Sequence, residues 1–334
     1  MPKEVDERVT RAAVSPPAEI RSKRATVEIG WTEVGYELYA LDGRTVEDRG
    51  HDEDQAAPNG SIVVIIPGHG QTAGYPKRMA AAAASLSRSK IVWSIDITPP
   101  AGGDPIKAKA LVRIVQEEIE KLFPGAEQSA TVTLMGWSHG GAEAMRAAEE
   151  APDLFPQVVG LCPAGMVERG LLDLLRGFVL EVARILWSGL RELDWVYIKD
   201  VMAAGMDLLT GLTRDLVRGR SVKRLVDDIR WASRKVPGEE YGYPGEVLIV
   251  FGGQDTVIRW QDVFPACGRP EEIDAVLDDY RQRNFPRSRQ VRVKVIDGNH
   301  FAPETDALAF VRPALALLGQ LDRPGFESES VGGQ

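Results

Sequence analysis

Residues 130–151 read ATVTLMGWSHGGAEAMRAAEEA. A short run, ATVTLM, has the continuous apolar character of a strand buried on both faces, and the alanine- and glutamate-rich end has the composition of a helix. Only Gly136-Trp137-Ser138-His139-Gly140-Gly141 separates them. A chain that passes from strand to helix within so few residues must turn sharply, and glycines two before and two after Ser138 remove the side chains that would clash in that turn. The pattern is GxSxG, and its place between a strand and a helix gives it meaning. It predicts a serine hydroxyl held out of the sheet, at the N-terminus of a helix whose unpaired N–H groups favour negative charge.

Working outward, the same alternation of strand and helix recurs. Apolar runs at 61–67 (SIVVIIP), 91–97 (IVWSIDI), 158–162 (VVGLC), 246–251 (EVLIVF) and 291–296 (VRVKVI) read as buried strands. Segments 75–87, 106–123 and 310–321 have helical spacing. Upstream, the alternation of Val27, Ile29 and Trp31, then Tyr36, Leu38 and Ala40, predicts two antiparallel strands about a turn at 33–35. The order strand, helix, strand requires crossover connections, hence an α/β fold with a mainly parallel central sheet flanked by helices.

Between Cys162 and Glu246 no strand is legible. Leu171, Leu174, Leu175, Phe178, Val182, Ile185 and Leu186 recur at helical spacing, as do Trp195, Ile198, Val201, Met202 and Met206. This predicts a helical cap inserted after the sixth strand, at 166–219, with a further helix at 222–232 leading back to the sheet. The expected organisation is a polar N-terminal arm at 1–24, core at 25–165, cap at 166–219, core at 220–322 and a polar tail at 323–334.

Serine is a weak nucleophile at its own pKa, so its use requires a base, and the base requires a partner that holds one tautomer. Asp255 stands just past the 246–251 strand, in GGQDT, and His300 just past the 291–296 strand, in DGNHF. Carboxyl ends of parallel strands share one edge of a sheet, so residues distant in sequence can meet there. Asp262 and Asp297 lie near the same rim and are alternatives to Asp255.

The order Ser138, Asp255, His300, with GxSxG in its strand-turn-helix setting, resembles the α/β-hydrolase superfamily, and the resemblance runs from about Ala25 to Leu321. Pro67-Gly68-His69-Gly70-Gln71 resembles the family's HG oxyanion loop, and the insertion after Cys162 falls where the family carries its lid. The resemblance implies that Ser138 is the nucleophile, His300 the general base and Asp255 the acid that orients it. It further implies an oxyanion hole of backbone N–H groups from His139 and from Gln71 or Gly70, with His69 and Trp137 beside the substrate. Carboxylic ester hydrolysis is the first expectation. Thioesters, C–C bonds, amides and acyl transfer use the same residues, and a binding protein that retains the fold is a further alternative. A dinucleotide-binding protein would need GxGxxG, which GHGQTAG fits poorly.

Composition narrows the partners. A formal charge of -9 argues against a nucleic-acid surface. The charged first residues lack the apolar core of a secretory signal, and no run of about 18 apolar residues offers a membrane span. A cytoplasmic protein acting on a small ester-like molecule with an apolar part is expected. Two cysteines, Cys162 and Cys267, are too few for a disulfide framework or a thiolate metal site. His51, among acids, reads as surface. Neither metal nor organic cofactor is expected. Asp96, Asp104 and Glu143 read as solvated or structural.

Overall fold

The computed structural model describes residues 19–42, 62–68, 76–87, 91–97, 104–123, 131–192 and 234–319. Eight strands form one sheet in the order β1-β2-β4-β3-β5-β6-β7-β8. They are β1 (Glu19–Ile29), β2 (Thr32–Asp42), β3 (Ile62–Ile66), β4 (Ile91–Ile97), β5 (Val132–Trp137), β6 (Gln157–Leu161), β7 (Glu246–Gly252) and β8 (Gln290–Ile296). β2 runs antiparallel to β1 and β4, and every pairing from β4 through β8 is parallel.

Successive side chains of a strand leave by opposite faces, and the core divides accordingly. Ile62, Val64 and Ile66 of β3 join one cluster with Val132 and Leu134 of β5, packed beneath helices α2 (Asp104–Leu122) and α3 (His139–Glu150). Val63, Ile65, Met135 and Trp137 join the other, beneath α1 (Lys77–Leu86) and α8 (Ala307–Leu317). Both faces of the central strands are therefore dry, which is why their sequences run apolar without alternation. Among the described residues the remaining α-helices are α4 (Leu171–Glu192), α5 (Trp260–Val263), α6 (Ile273–Asn284) and α7 (Ala302–Thr305).

The first hairpin corrects two expectations. Its turn is Gly30-Trp31, with Gly30 at φ 60°, and not 33–35. β1 begins at Glu19, so residues 19–24 of the expected arm belong to the sheet. Their polar sequence hid them: this stretch of an edge strand is held by its ladder to β2 and by charges, Arg24 to Glu37 at 3.3 Å and Lys23 to Glu118 of α2 at 2.5 Å. Helix α6, between β7 and β8, has a weak apolar face that the sequence reading passed over.

Of the expected cap, α4 is described and the segment at 195–206 lies outside the described residues, as does the further helix expected at 222–232. Among the described residues no helix is long and apolar enough to cross a membrane.

Candidate active site

Ser138 occupies the one-residue turn between β5 and α3 with φ 54° and ψ −120°, a backbone conformation that residues other than glycine rarely adopt. The surroundings hold it there. Ser138 N–H donates to Leu161 O of β6 at 2.9 Å, while Ser138 O accepts from Gly141 and Ala164 at 3.0 and 2.8 Å. The flanking glycines are required by contact: a β-carbon on Gly136 would lie 2.1 Å from Gly140 O, and one on Gly140 2.2 Å from Ile66 O. The turn is thus packed backbone to backbone, and the serine side chain projects from it without capping the helix.

Its hydroxyl meets an imidazole. Ser138 Oγ lies 3.1 Å from His300 Nε2, and His300 Nδ1 lies 2.8 Å from Asp255 Oδ2. The other oxygen of Asp255 accepts N–H groups from Val257 at 2.7 Å and Ile258 at 2.8 Å, so the carboxylate is fixed by its own loop with one oxygen left for the histidine. The Asp255 side chain is fully buried and that of His300 is 5 % exposed. A carboxylate on Nδ1 fixes the neutral ring with its proton on that nitrogen, leaving Nε2 as an acceptor toward the hydroxyl. Of the alternatives, Asp262 pairs with Arg259 and Arg169, and Asp297 accepts from Gln254.

Burial alone would lower the pKa of His300. The charge of Asp255 and its hydrogen bond, then the charge of Glu181, outweigh that, so His300 stands above the ordinary histidine value.

No family model matches the chain, and no curated protein sequence matches it. Solved structures do. A meta-cleavage product hydrolase from Pseudomonas fluorescens superposes with a TM-score of 0.54 at 14% identity, over 88% of this chain and 97% of that one. A bacterial membrane phospholipase A gives 0.53 at 12% identity, over 89% and 86%, and an esterase of Pyrococcus furiosus 0.50 at 12%, over 91% and 92%. The chain has the α/β-hydrolase fold. At such identities the likeness concerns the path of the backbone, and the chemistry has to be argued from this chain's own side chains.

Three of the residues expected at the site of this α/β-hydrolase fold, His69, Gly70 and Gln71, lie outside the described residues. Trp137 is corrected. As the last residue of β5 it points to the face covered by α1 and α8, is 1 % exposed, and donates its indole N–H to His300 O at 3.0 Å. It supports the histidine loop and has no surface to offer a ligand. The His139 ring is turned toward α3, where Nε2 lies 2.8 Å from Glu143, itself 2.6 Å from Lys107 of α2. This ring too is buried.

Cys162, at the end of β6 with φ 44°, brings its sulfur within 4.8 Å of ligand atoms of Asp255 and His300. The trio is a poor metal site. Burial, then the charge of Asp255, push the thiol well above its ordinary range, so it remains protonated, while the near atoms of Asp255 and His300 are bonded to each other.

Sequence reading missed Glu181. It is 0 % exposed, and its carboxylate accepts the backbone N–H of His300 at 2.7 Å. The signal was present: Glu181 stands three residues after Phe178 and four before Ile185, inside the apolar stripe of α4, where an acid has no place without a partner.

Proposed function

We propose that the protein is a serine hydrolase that cleaves a carboxylic ester of a small molecule through an acyl-enzyme on Ser138. The observation that carries this reading is the unbroken chain from Ser138 Oγ through His300 to Asp255, at 3.1 and 2.8 Å, with Ser138 held at φ 54°. A turn strained in this way is retained only where the surrounding structure over-determines it, and such strain gathers at functional sites.

In the first half-reaction His300 Nε2 takes the hydroxyl proton of Ser138 as Oγ bonds to the ester carbonyl carbon. The carbonyl oxygen becomes an oxyanion. The backbone N–H of His139, at the start of α3, is placed in this reading to donate to it, with Gly70 or Gln71 as the second donor. Collapse of the intermediate breaks the bond to the alkoxy oxygen, which leaves as an alcohol with the proton held by His300. In the second half, water gives a proton to His300 and its oxygen to the acyl carbon. The Ser138 ester bond then breaks, the carboxylic acid departs, and the proton returns to Oγ. Asp255 remains ionised throughout and stabilises the imidazolium of each half. The steps need no metal or organic cofactor.

Esters are favoured over amides because an alcohol leaves more readily than an amine. The leucine and tryptophan content of the insertion, with Leu172, Leu174 and Trp187 on α4, supports a substrate with an apolar part.

The test is hydrolysis of p-nitrophenyl esters of increasing acyl length by wild type and Ser138→Ala, with intact-mass detection of a fluorophosphonate adduct. Wild type should gain one adduct and turn over an ester, and Ser138→Ala should do neither. Wild type that neither labels nor hydrolyses would overturn the reading.

A further inference from the structure

We propose that Glu181 is a positioning residue for the Ser138, His300 and Asp255 chain, holding the two loops that carry His300 and Asp255 against each other from helix α4. The inference rests on the hydrolase reading given above.

Glu181 spans the two loops with one side chain. Oε1 accepts the His300 backbone N–H at 2.7 Å, and Oε2 accepts both the Thr256 N–H at 3.1 Å and the Thr256 hydroxyl at 2.5 Å. Thr256 is the immediate neighbour of Asp255. The carboxylate therefore grips the backbone at His300 and at the residue beside Asp255, the two groups whose separation of 2.8 Å sets the tautomer and aim of the ring. Arg184, one turn along the helix, completes the set at 3.1 Å from Oε2. Four donors replace the water that a buried carboxylate gives up.

Helix α4 is seated for this purpose. One turn before Glu181, Gly177 allows such close approach that a β-carbon there would lie 2.5 Å from Thr256 O, and Gly177 O lies 3.0 Å from the Thr256 hydroxyl as a second acceptor for the one proton that Glu181 Oε2 takes at 2.5 Å. Two successive turns of the helix thus bind the same loop, and Arg169 adds a third tie by donating to Val257 O. The N-terminal half of α4 is part of the frame of the site and is not free to lift away while the chain of hydrogen bonds is intact.

A purely structural strut would hold the loops without affecting the charge of the ring. Glu181 does more, because its charge favours the imidazolium. Among the described residues, the titratable groups facing His300 are Asp255 after β7, Cys162 after β6 as a neutral thiol, and Glu181 from α4 with Arg184 behind it. Trp137 and Phe301 place uncharged aromatic rings beside the imidazole.

The deciding measurement is the NMR titration of the His300 ring in wild type, Glu181→Gln and Arg184→Gln, alongside kcat and KM for the best p-nitrophenyl ester. Four histidines make the resonances assignable, with His300→Gln as reference. Glu181→Gln keeps the shape and an acceptor for the His300 N–H but removes the charge. It should move the His300 midpoint to lower pH by about 0.5 or more and reduce kcat by about tenfold or more with little change in KM. Glu181→Asp keeps the charge and loses the reach, so kcat should fall without the change in midpoint. Arg184→Gln, a change at a side chain 37 % exposed, leaves the carboxylate less compensated and should move the midpoint upward. An unchanged His300 titration in Glu181→Gln overturns the inference; so does an unchanged one in Arg184→Gln if the first variant does not fold. The titration is read without substrate, so it decides the role of Glu181 separately from the ester assay, in which Ser138→Ala decides the hydrolase reading.

Discussion

A β-carbon placed on Gly140 would lie 2.2 Å from the carbonyl oxygen of Ile66, so helix α3 rests on the end of β3 with no room for any side chain between them. Neither partner can yield, since the Ile66 oxygen belongs to the backbone of a central strand and Gly140 to the first turn of the helix. Gly140→Ala should therefore displace α3 and with it Ser138. The expected cost is about 3 kcal/mol or more, lowering Tm by about 5 °C or more, with loss of fluorophosphonate labelling. A variant with unchanged Tm and labelling would show that the packing of the turn is looser than these distances imply.

The state of His300 sets the pH dependence. The ring accepts a proton from Ser138 only when neutral, and its pKa is raised above the ordinary 6.5. As pH falls through that raised value the ring protonates in the free protein, so kcat/KM should decline on the acid side with a midpoint above the ordinary histidine value. The rate of fluorophosphonate labelling should follow the same limb, because it needs the same deprotonated base. A rate that stays level down to pH 4 would remove His300 from the role of base.

Asp255→Asn keeps the shape of the side chain, and the amide oxygen can still accept from Val257 and Ile258. The amide nitrogen then faces Nδ1 and donates to it, which drives the ring proton to Nε2, opposite Ser138. The hydroxyl loses its acceptor. Turnover should fall by on the order of a thousandfold or more, with Tm changed by only a few degrees. An unimpaired variant would point to a different acid, although Asp262 and Asp297 are already engaged with Arg259 and Gln254.

The strands and the meeting of Ser138, Asp255 and His300 were legible for one reason: each lies at the end of a short apolar run, and parallel strands place such ends together. The positions of β3 to β8 differ from the sequence expectation by only a residue or two at either end: burial on both faces of β3 to β7 leaves a continuous apolar run, while the half-buried edge strand β8 shows itself by the alternation of VRVKVI. Where burial is one-sided or local the signal weakens. Residues 19–24 joined β1 through cross-strand charge and backbone pairing, neither of which has a period in sequence. Trp137 was misread because its place in the motif suggested contact with a ligand, while the alternation of β5 already put it on the face opposite Leu134 and beside Met135's cluster. Glu181 was hidden in a segment read only for its apolar spacing. Its partners, Thr256 and His300, are 75 and 119 residues away, and nothing local announces such a contact beyond an acid in the wrong stripe.

The cluster of Lys107, Glu143 and His139 gives the last prediction. Glu143 lies 2.6 Å from Lys107 and 2.8 Å from His139, with side-chain exposures of 13, 9 and 7 %. An exposed pair such as Arg113 and Glu117 contributes about 0.3–0.5 kcal/mol. Here, by contrast, removing the acid takes from a buried ammonium the carboxylate 2.6 Å from it, so Glu143→Gln should cost about 3–5 kcal/mol at neutral pH. Burial by itself would raise the Glu143 carboxyl, but the charges of Lys107 and His139 and their hydrogen bonds hold it well below the usual carboxylate range. A depressed folded-state pKa adds stability that is complete above the unfolded value, near 4.5, and is lost as pH falls below it toward the folded value. Urea denaturation at successive pH values should show wild type losing this contribution on acidification, while Glu143→Gln, already without it, depends less on pH over the same interval. Because α3 begins at the residue after Ser138, the same variant should also label more slowly, and equal slopes for the two proteins would place the acid sensitivity in other carboxylates.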